Sequence, residues 1–171
     1  DAAKGVETQT IKLLNVCRMR NTPIITFINK LDREVRDFFE LIEEIEAQLA
    51  IECAPITWPI GMGKSFRGVY HLQNNALLRF NAGEEKRTEA EKVSGIDNAV
   101  LDREFPLEVG KLREDVELLQ GASSPFNLEA FLQGTQTPVF FGSGINNFGV
   151  QEVLEALLNW APSPKARDAS L

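Results

Sequence analysis

Hydrophobic and polar positions follow one pattern at the two ends of the chain and another in the middle. At the start, Val6, Thr10, Leu13, Leu14 and Cys17 share one helical face. Arg18 and Arg20 fall in the last turn, where positive charge suits the helix dipole, and Asn21 and Pro23 end the helix. The run Ile24-Ile25-Thr26-Phe27-Ile28 is predicted to be a central strand of a parallel sheet, apolar on both faces. A second helix follows, with Asp37 and Glu40 spaced as a capping pair. Phe38, Leu41, Ile42, Ile45 and Leu49 form its apolar stripe; Glu40, Glu43, Glu44 and Glu46 form its solvated side.

From Ile51 the pattern changes. Pro55, Pro59, Gly61, Gly63 and Gly68 punctuate short β-like runs at Ile56–Ile60, Phe66–Leu72 and Ala76–Phe80, which read as antiparallel strands. Residues 81–98 are polar and read as an exposed loop. Leu101–Leu119 is mainly helical, disturbed by Pro106 and Gly110. Within it Lys111–Gln120 carries Leu112, Val116 and Leu119 on one side and Glu114, Asp115 and Glu117 as acids for a basic partner. Gly121–Pro125 is a break, and Asn127–Leu132 a short helix ending at Gly134. The first pattern then returns: a buried strand at Thr137–Phe141, a tight loop from Gly142 to Asn147, and a helix striped by Val150, Val153, Leu154, Leu157 and Leu158 and stopped by Pro162. The fold expected is α/β, the last strands of a doubly wound parallel sheet (residues 1–50 and 136–162) with an inserted α+β module (51–135) and a tail (163–171).

Length and charge narrow the function. A chain of 171 residues supports a sizeable core. A net charge of −7 argues against a broad nucleic-acid surface, which needs a basic face. Cys17 and Cys53 lack CxxC spacing and read as buried, reduced thiols. No run is apolar enough to span a bilayer. Without an initiator methionine, the chain is expected to begin inside a longer protein or after processing.

The candidate chemistry sits where the two buried strands end. In open α/β sheets ligands bind beyond the carboxyl ends of the strands, and there the sequence reads Asn29-Lys30-Leu31-Asp32. Guanine presents two donors side by side, N1–H and the 2-amino group, and the Asp32 carboxylate can accept both. Asn29 offers a donor and an acceptor, and the apolar stem of Lys30 can lie along a purine face. The same four residues also read as a plain strand-to-helix loop with Asp32 as a cap. The small residues of Gly142-Ser143-Gly144, after the second strand, let the backbone approach a flat base, where an N–H could donate to guanine O6. Gly61-Met62-Gly63-Lys64-Ser65 imitates the tail of a P-loop, but Trp58 stands where the pattern needs glycine and Pro59 has no N–H, so a hairpin turn is expected. His71 is read as a packed or surface histidine, and no acid/base pair stands out.

Several stretches together resemble the bacterial peptide chain release factor three family, translational GTPases related to elongation factor G. They are Asp1–Glu7, Asn29–Arg33, Cys53-Ala54-Pro55-Ile56-Thr57-Trp58-Pro59-Ile60-Gly61, Gly68-Val69-Tyr70-His71-Leu72 and Pro138–Ser143. The resemblance implies a partial P-loop-NTPase-type fold that binds GTP or GDP, with Asn29, Lys30 and Asp32 as the purine-specificity motif and Ser143, Gly144 and Ile145 as the last base-contacting loop. It departs from the family at Gly144, where alanine is usual. The family's P-loop, magnesium-binding threonine, switch and catalytic histidine have no counterpart here, so the segment alone is expected to be inactive, with Mg²⁺ held only by other parts of the parent. The partners implied are the ribosome, its stalk protein and the codon-reading release factors, whose recycling the family promotes in the cytoplasm; no membrane and no sequence-specific nucleic acid is implied. A sibling GTPase such as elongation factor G, or an interaction module with an inert nucleotide site, are the alternatives.

Overall fold

The two sequence patterns become two sheets. A computed structural model describes residues 1–80, 91–93 and 95–163. Elements are numbered in chain order. The parallel sheet runs β1 (Thr26–Ile28), β7 (Gln136–Phe141), β2 (Glu52–Pro55). The antiparallel sheet runs β3 (Thr57–Ile60), β4 (Gly68–His71), β5 (Ala76–Arg79), β6 (Glu91–Lys92). The chain is therefore α/β, a parallel sheet interrupted by an antiparallel one. The tail expected over 163–171 lies outside the described residues from 164 onward. So does the polar loop expected over 81–98 at 81–90 and 94; where it is described it supplies β6 rather than loop alone.

Among the described residues the run at Ile24–Ile28 lies at the edge of the parallel sheet, where the sequence pattern put a central strand. Only three of its residues pair, all with β7, and among the described residues its other edge has no neighbour. Ile24 and Ile25 are half-buried. The centre is β7, with a strand on each side and all six residues buried. An apolar run reports burial, not the number of neighbouring strands. The parallel sheet also extends past the boundary expected at residue 51, because Glu52–Pro55 pairs with Gln136–Val139. Parallel pairing needs no local turn, so nothing near residue 52 announces it. The chain then crosses through Ile56 into β3, and the Thr57 hydroxyl accepts the Phe141 N–H at 3.0 Å, joining the sheets where the β2–β7 ladder stops.

Among the described residues six α-helices pack around these sheets. In α1 (Thr8–Met19) only Leu14 is buried, while Leu13 and Met19 are exposed and Ile11 and Cys17 half-buried. The expected face is thus rotated away from Thr10 and Leu13. Arg18 donates to Leu49 O and, at 2.8 Å, to Ala50 O, covering the final carbonyls of α2 (Phe38–Leu49). All five stripe residues of α2 are buried, and Asp37 caps it by accepting from the Phe39 and Glu40 N–H groups at 2.9 and 3.2 Å. Two of its acids are not simply solvated. Glu44 accepts the Val6 N–H at 2.8 Å and pairs with Arg36, and Glu46 accepts the Cys53 N–H at 2.8 Å.

Pro106 splits the next helical stretch into α3 (Ala99–Glu104) and α4 (Val109–Ala122). The helix runs through Gly121, so the break starts at Ser123. Asn127 caps α5 (Leu128–Leu132). In α6 (Val150–Trp160) the packed arc is Val153, Ala156 and Trp160, the last stacked on Phe126 at 4.2 Å. Leu154, Leu157 and Leu158, expected in the buried stripe, are exposed. The small Ala156 allows the close approach to Ile56 and Phe140 that the leucines would obstruct.

Trp58 is the hub of the main core. It is fully buried against Phe38, Phe39 and Phe141, with ring centroids 5.9, 4.9 and 5.3 Å away. A buried indole N–H needs an acceptor, and Trp58 Nε1 donates to Asp115 Oδ2 at 3.0 Å. Asp115 also accepts from Lys111 Nζ at 2.5 Å. It is buried, not offered to a partner as the sequence suggested; Glu114 and Glu117 remain exposed.

Candidate functional site

The ladder between β1 and β7 continues into the two loops at its carboxyl end. Gly142 N–H donates to Ile28 O at 3.1 Å, and Leu31 N–H to Gly142 O at 3.2 Å. The fit requires glycine at 142, since a Cβ there would lie 2.3 Å from Phe148 O and 2.8 Å from the Phe27 ring. Leu31 is fully buried and anchors the first loop. The polar residues around it are left at the surface.

Asn29 and Gly144 join the loops. Asn29 Oδ1 accepts the Lys30 N–H at 2.7 Å and the Gly144 N–H at 2.8 Å. Lys30 takes the left-handed conformation (φ +78°) that turns the chain, and its Nζ lies 2.5 Å from Asp1 Oδ2. The Ser143 hydroxyl donates to Asp32 Oδ1 and accepts from Asn146 Nδ2 at 2.8 Å. Ser143 is fully buried, and its backbone exchanges two 3.0 Å bonds with Phe148. Asp32 keeps Oδ2 available, with Arg33 Nε 3.9 Å away. It caps no helix, since that role in α2 belongs to Asp37. The structure thus brings Asn29, Lys30, Asp32, Ser143 and Gly144 together. Ile145 is the exposed first-turn residue of a 3₁₀ turn, Gly144–Asn146, and its N–H finds no acceptor among the described residues. Within this loop the Gly144 N–H serves Asn29, and the Ile145 N–H is left without an acceptor among the described residues.

Three supports of this site were not visible in the sequence. Residues 1–6 fold against the first loop, with Ala2 N–H donating to Asn29 O at 3.0 Å. The Gly61–Ser65 stretch forms a 3₁₀ turn, Gly63–Ser65, between antiparallel β3 and β4, as a hairpin should; its Gly63 N–H donates to Leu31 O at 3.0 Å. Phe66, Phe80 and Phe148 form an aromatic trio with centroids 4.9 to 5.6 Å apart, holding the second loop against the antiparallel sheet. Only the glycines of the hairpin gave any advance sign, by marking a turn.

The remaining reactive groups lie elsewhere. Burial pushes the Cys53 thiol up to about 12 and holds the half-buried His71 imidazole below its ordinary value. No group of three metal-ligating side chains occurs among the described residues, and none of their helices is long and apolar enough to cross a membrane.

The chain is 73% identical over all 171 residues to peptide chain release factor 3 of Aromatoleum aromaticum, and covers 31% of it. It therefore spans about a third of the length of that relative. A crystal structure of a protein from Thermus thermophilus superposes with a TM-score of 0.65 at 24% identity, over 95% of this chain and 26% of that one, a likeness of fold. The family profile of the elongation factor Tu GTP binding domain matches residues 1–163. The chain belongs to the elongation factor Tu GTP binding domain family.

Proposed function

We propose that this chain is the base-reading part of a translation termination GTPase. The observation that carries the reading is the Ser143–Asp32 hydrogen bond, which fixes a carboxylate at the strand ends while leaving it further lone pairs. The groups present fit guanine. Asp32 faces the two donors of its Watson–Crick edge, the free Ile145 N–H suits O6, and the Lys30 stem offers an apolar platform. Adenine would put a donor where Ile145 also donates.

In the full-length factor this segment selects GTP and GDP, and the phosphates and Mg²⁺ are held by other parts of the protein. Phosphoryl transfer is catalysed mainly by positioning and charge neutralisation around the phosphates. The segment alone is therefore inactive. By its similarity to a release factor, the full-length protein acts on the ribosome in the cytoplasm and promotes recycling of codon-reading release factors. A second reading, a docking face for the ribosomal stalk protein, is favoured by a groove of about 530 Å³ between α2 and α4. Its floor includes Phe39, Ile42, Ile51 and Leu119 and its rim Glu43, Glu46 and Glu52.

Substitution of Asp32 tests the primary reading. In the full-length factor, Asp32→Asn pairs its new N–H with the 2-oxygen of xanthine and opposes guanine donor against donor. Sites built on such bonds discriminate by roughly 10⁴-fold, so affinity should move from GDP to xanthosine diphosphate by a comparable factor. An unchanged preference for GDP would overturn the assignment.

A further inference from the structure

We infer that Asp1 is a positioning residue of the base-reading site, holding the Lys30 ammonium so that the lysine stem stands ready against the purine face. The inference rests on the guanine reading above. A lysine stem has four rotatable carbons, and a free one samples many rotamers, few of them flat against a base. Lys30 is fixed at both ends. Its backbone sits in a left-handed turn at φ +78°, and its Nζ lies 2.5 Å from Asp1 Oδ2.

The carboxylate is the stationary partner. The Asp1 side chain is 11% exposed and that of Lys30 44%. The other Asp1 oxygen, Oδ1, accepts the Ala3 N–H at 3.0 Å, and Asp1 O accepts from the Lys4 and Gly5 N–H groups at 3.1 and 2.8 Å. This turn is clamped from outside. Ala2 is fully buried, donates to Asn29 O and accepts the Arg36 N–H at 3.2 Å. Beyond it the Val6 N–H reaches Glu44, whose carboxyl that bond and the Arg36 guanidinium hold below its ordinary value. The turn therefore delivers Asp1 to one place relative to Asn29, the neighbour of the residue it holds. The lysine end of the pair is open to solvent, and asparagine at position 1 would keep an acceptor for the Ala3 N–H, so loss of the charge should appear in nucleotide binding more than in stability.

The experiment is a double-mutant cycle in the full-length factor, with GDP and xanthosine diphosphate as probes. Asp1→Asn should weaken both nucleotides by about two- to fivefold. The guanine-to-xanthine ratio and Tm should stay unchanged, because stacking does not read the base edge. Asp1→Glu, which keeps the charge, should recover part of the loss. In a Lys30→Met background, Asp1→Asn should have no further effect. An undiminished GDP affinity in Asp1→Asn, or the same loss with and without Lys30, would overturn the inference. Failure of the base reading itself shows differently, as an Asp32→Asn protein whose preference for GDP has not moved.

Discussion

The Ser143 hydroxyl donates to Asp32 Oδ1 across 111 residues of sequence. Both residues lie beyond the ends of adjacent parallel strands, and the bond fixes the orientation of the Asp32 carboxylate. The donor is fully buried and its oxygen also accepts from Asn146, so the hydroxyl cannot swing away without leaving a polar group unpaired.

Ser143→Ala removes that restraint. A hydrogen bond to a charged group contributes about 1.5–3 kcal/mol, so GDP affinity of the full-length factor should fall by about 10- to 100-fold. The preference for guanine should shrink without inverting, since Asp32 remains. Isothermal calorimetry with GDP and xanthosine diphosphate measures both quantities.

The two glycines of the second loop should respond oppositely to alanine. At Gly142 the new methyl would meet Phe148 O at 2.3 Å, and backbone must move, so a loss of several kcal/mol is expected, about 3 or more. At Gly144 the nearest atoms belong to the Asn29 amide at 3.3 Å and φ is not positive, so Gly144→Ala should be tolerated to within about 1 kcal/mol. Chemical denaturation of the two variants makes the comparison.

Asp115→Ala leaves the buried Trp58 Nε1 without its acceptor and Lys111 without its partner. A cost of about 2–4 kcal/mol is expected. Asp115→Asn keeps an acceptor for the indole and loses only the ion pair, so its cost should be smaller. Urea titration followed by tryptophan emission reports stability and the indole's surroundings together.

Burial holds the His71 imidazole below 6.5, against an opposing pull from Glu155. Below pH 6.5 the unfolded chain takes up the proton before the folded one. Stability should therefore be lost as pH falls from 6.5 towards the folded value, and level off beneath it. The lowered carboxyls of Glu44 and Glu104 act in a separate window, below about 4.5. Urea melts between pH 8 and 5 should show the first slope in the wild type and not in His71→Gln.

Local signals were readable and long-range ones were not. The stripe of α2, its Asp37 cap and the hairpins β3–β4–β5 all follow from residues within a few positions of one another. The order of the parallel strands does not, and so the apolar pattern puts β1 at the centre that β7 occupies among the described residues. In α4, the spacing of Leu112, Val116 and Leu119 showed the buried side, but not that Asp115 beside them answers an indole 57 positions earlier. At the candidate site, the residue types after each buried strand were visible. That the two loops share one sheet edge was also readable, but the bonds between them were not, because the Asn29–Gly144 bond depends on how two distant strands register. The Asp1–Lys30 pair had no sequence pattern to give it away, since neither partner belongs to a periodic element.

The placement of β7 has a consequence for how the molecule comes into being. Strands β3 and β4 meet through a short turn, whereas Asn29 and Gly144 are 115 residues apart. Closing so long a loop costs entropy before any contact repays it, and non-local pairing is slow to form. As the chain leaves the ribosome, the antiparallel sheet can assemble while β1 and β2 still wait for the strand that will lie between them. The candidate site has no local precursor. Until Gln136–Phe141 docks, Asn29 and Asp32 lack the partners that Gly144 and Ser143 bring to them, so the arrangement of these side chains is a property of the finished fold and not a template for it.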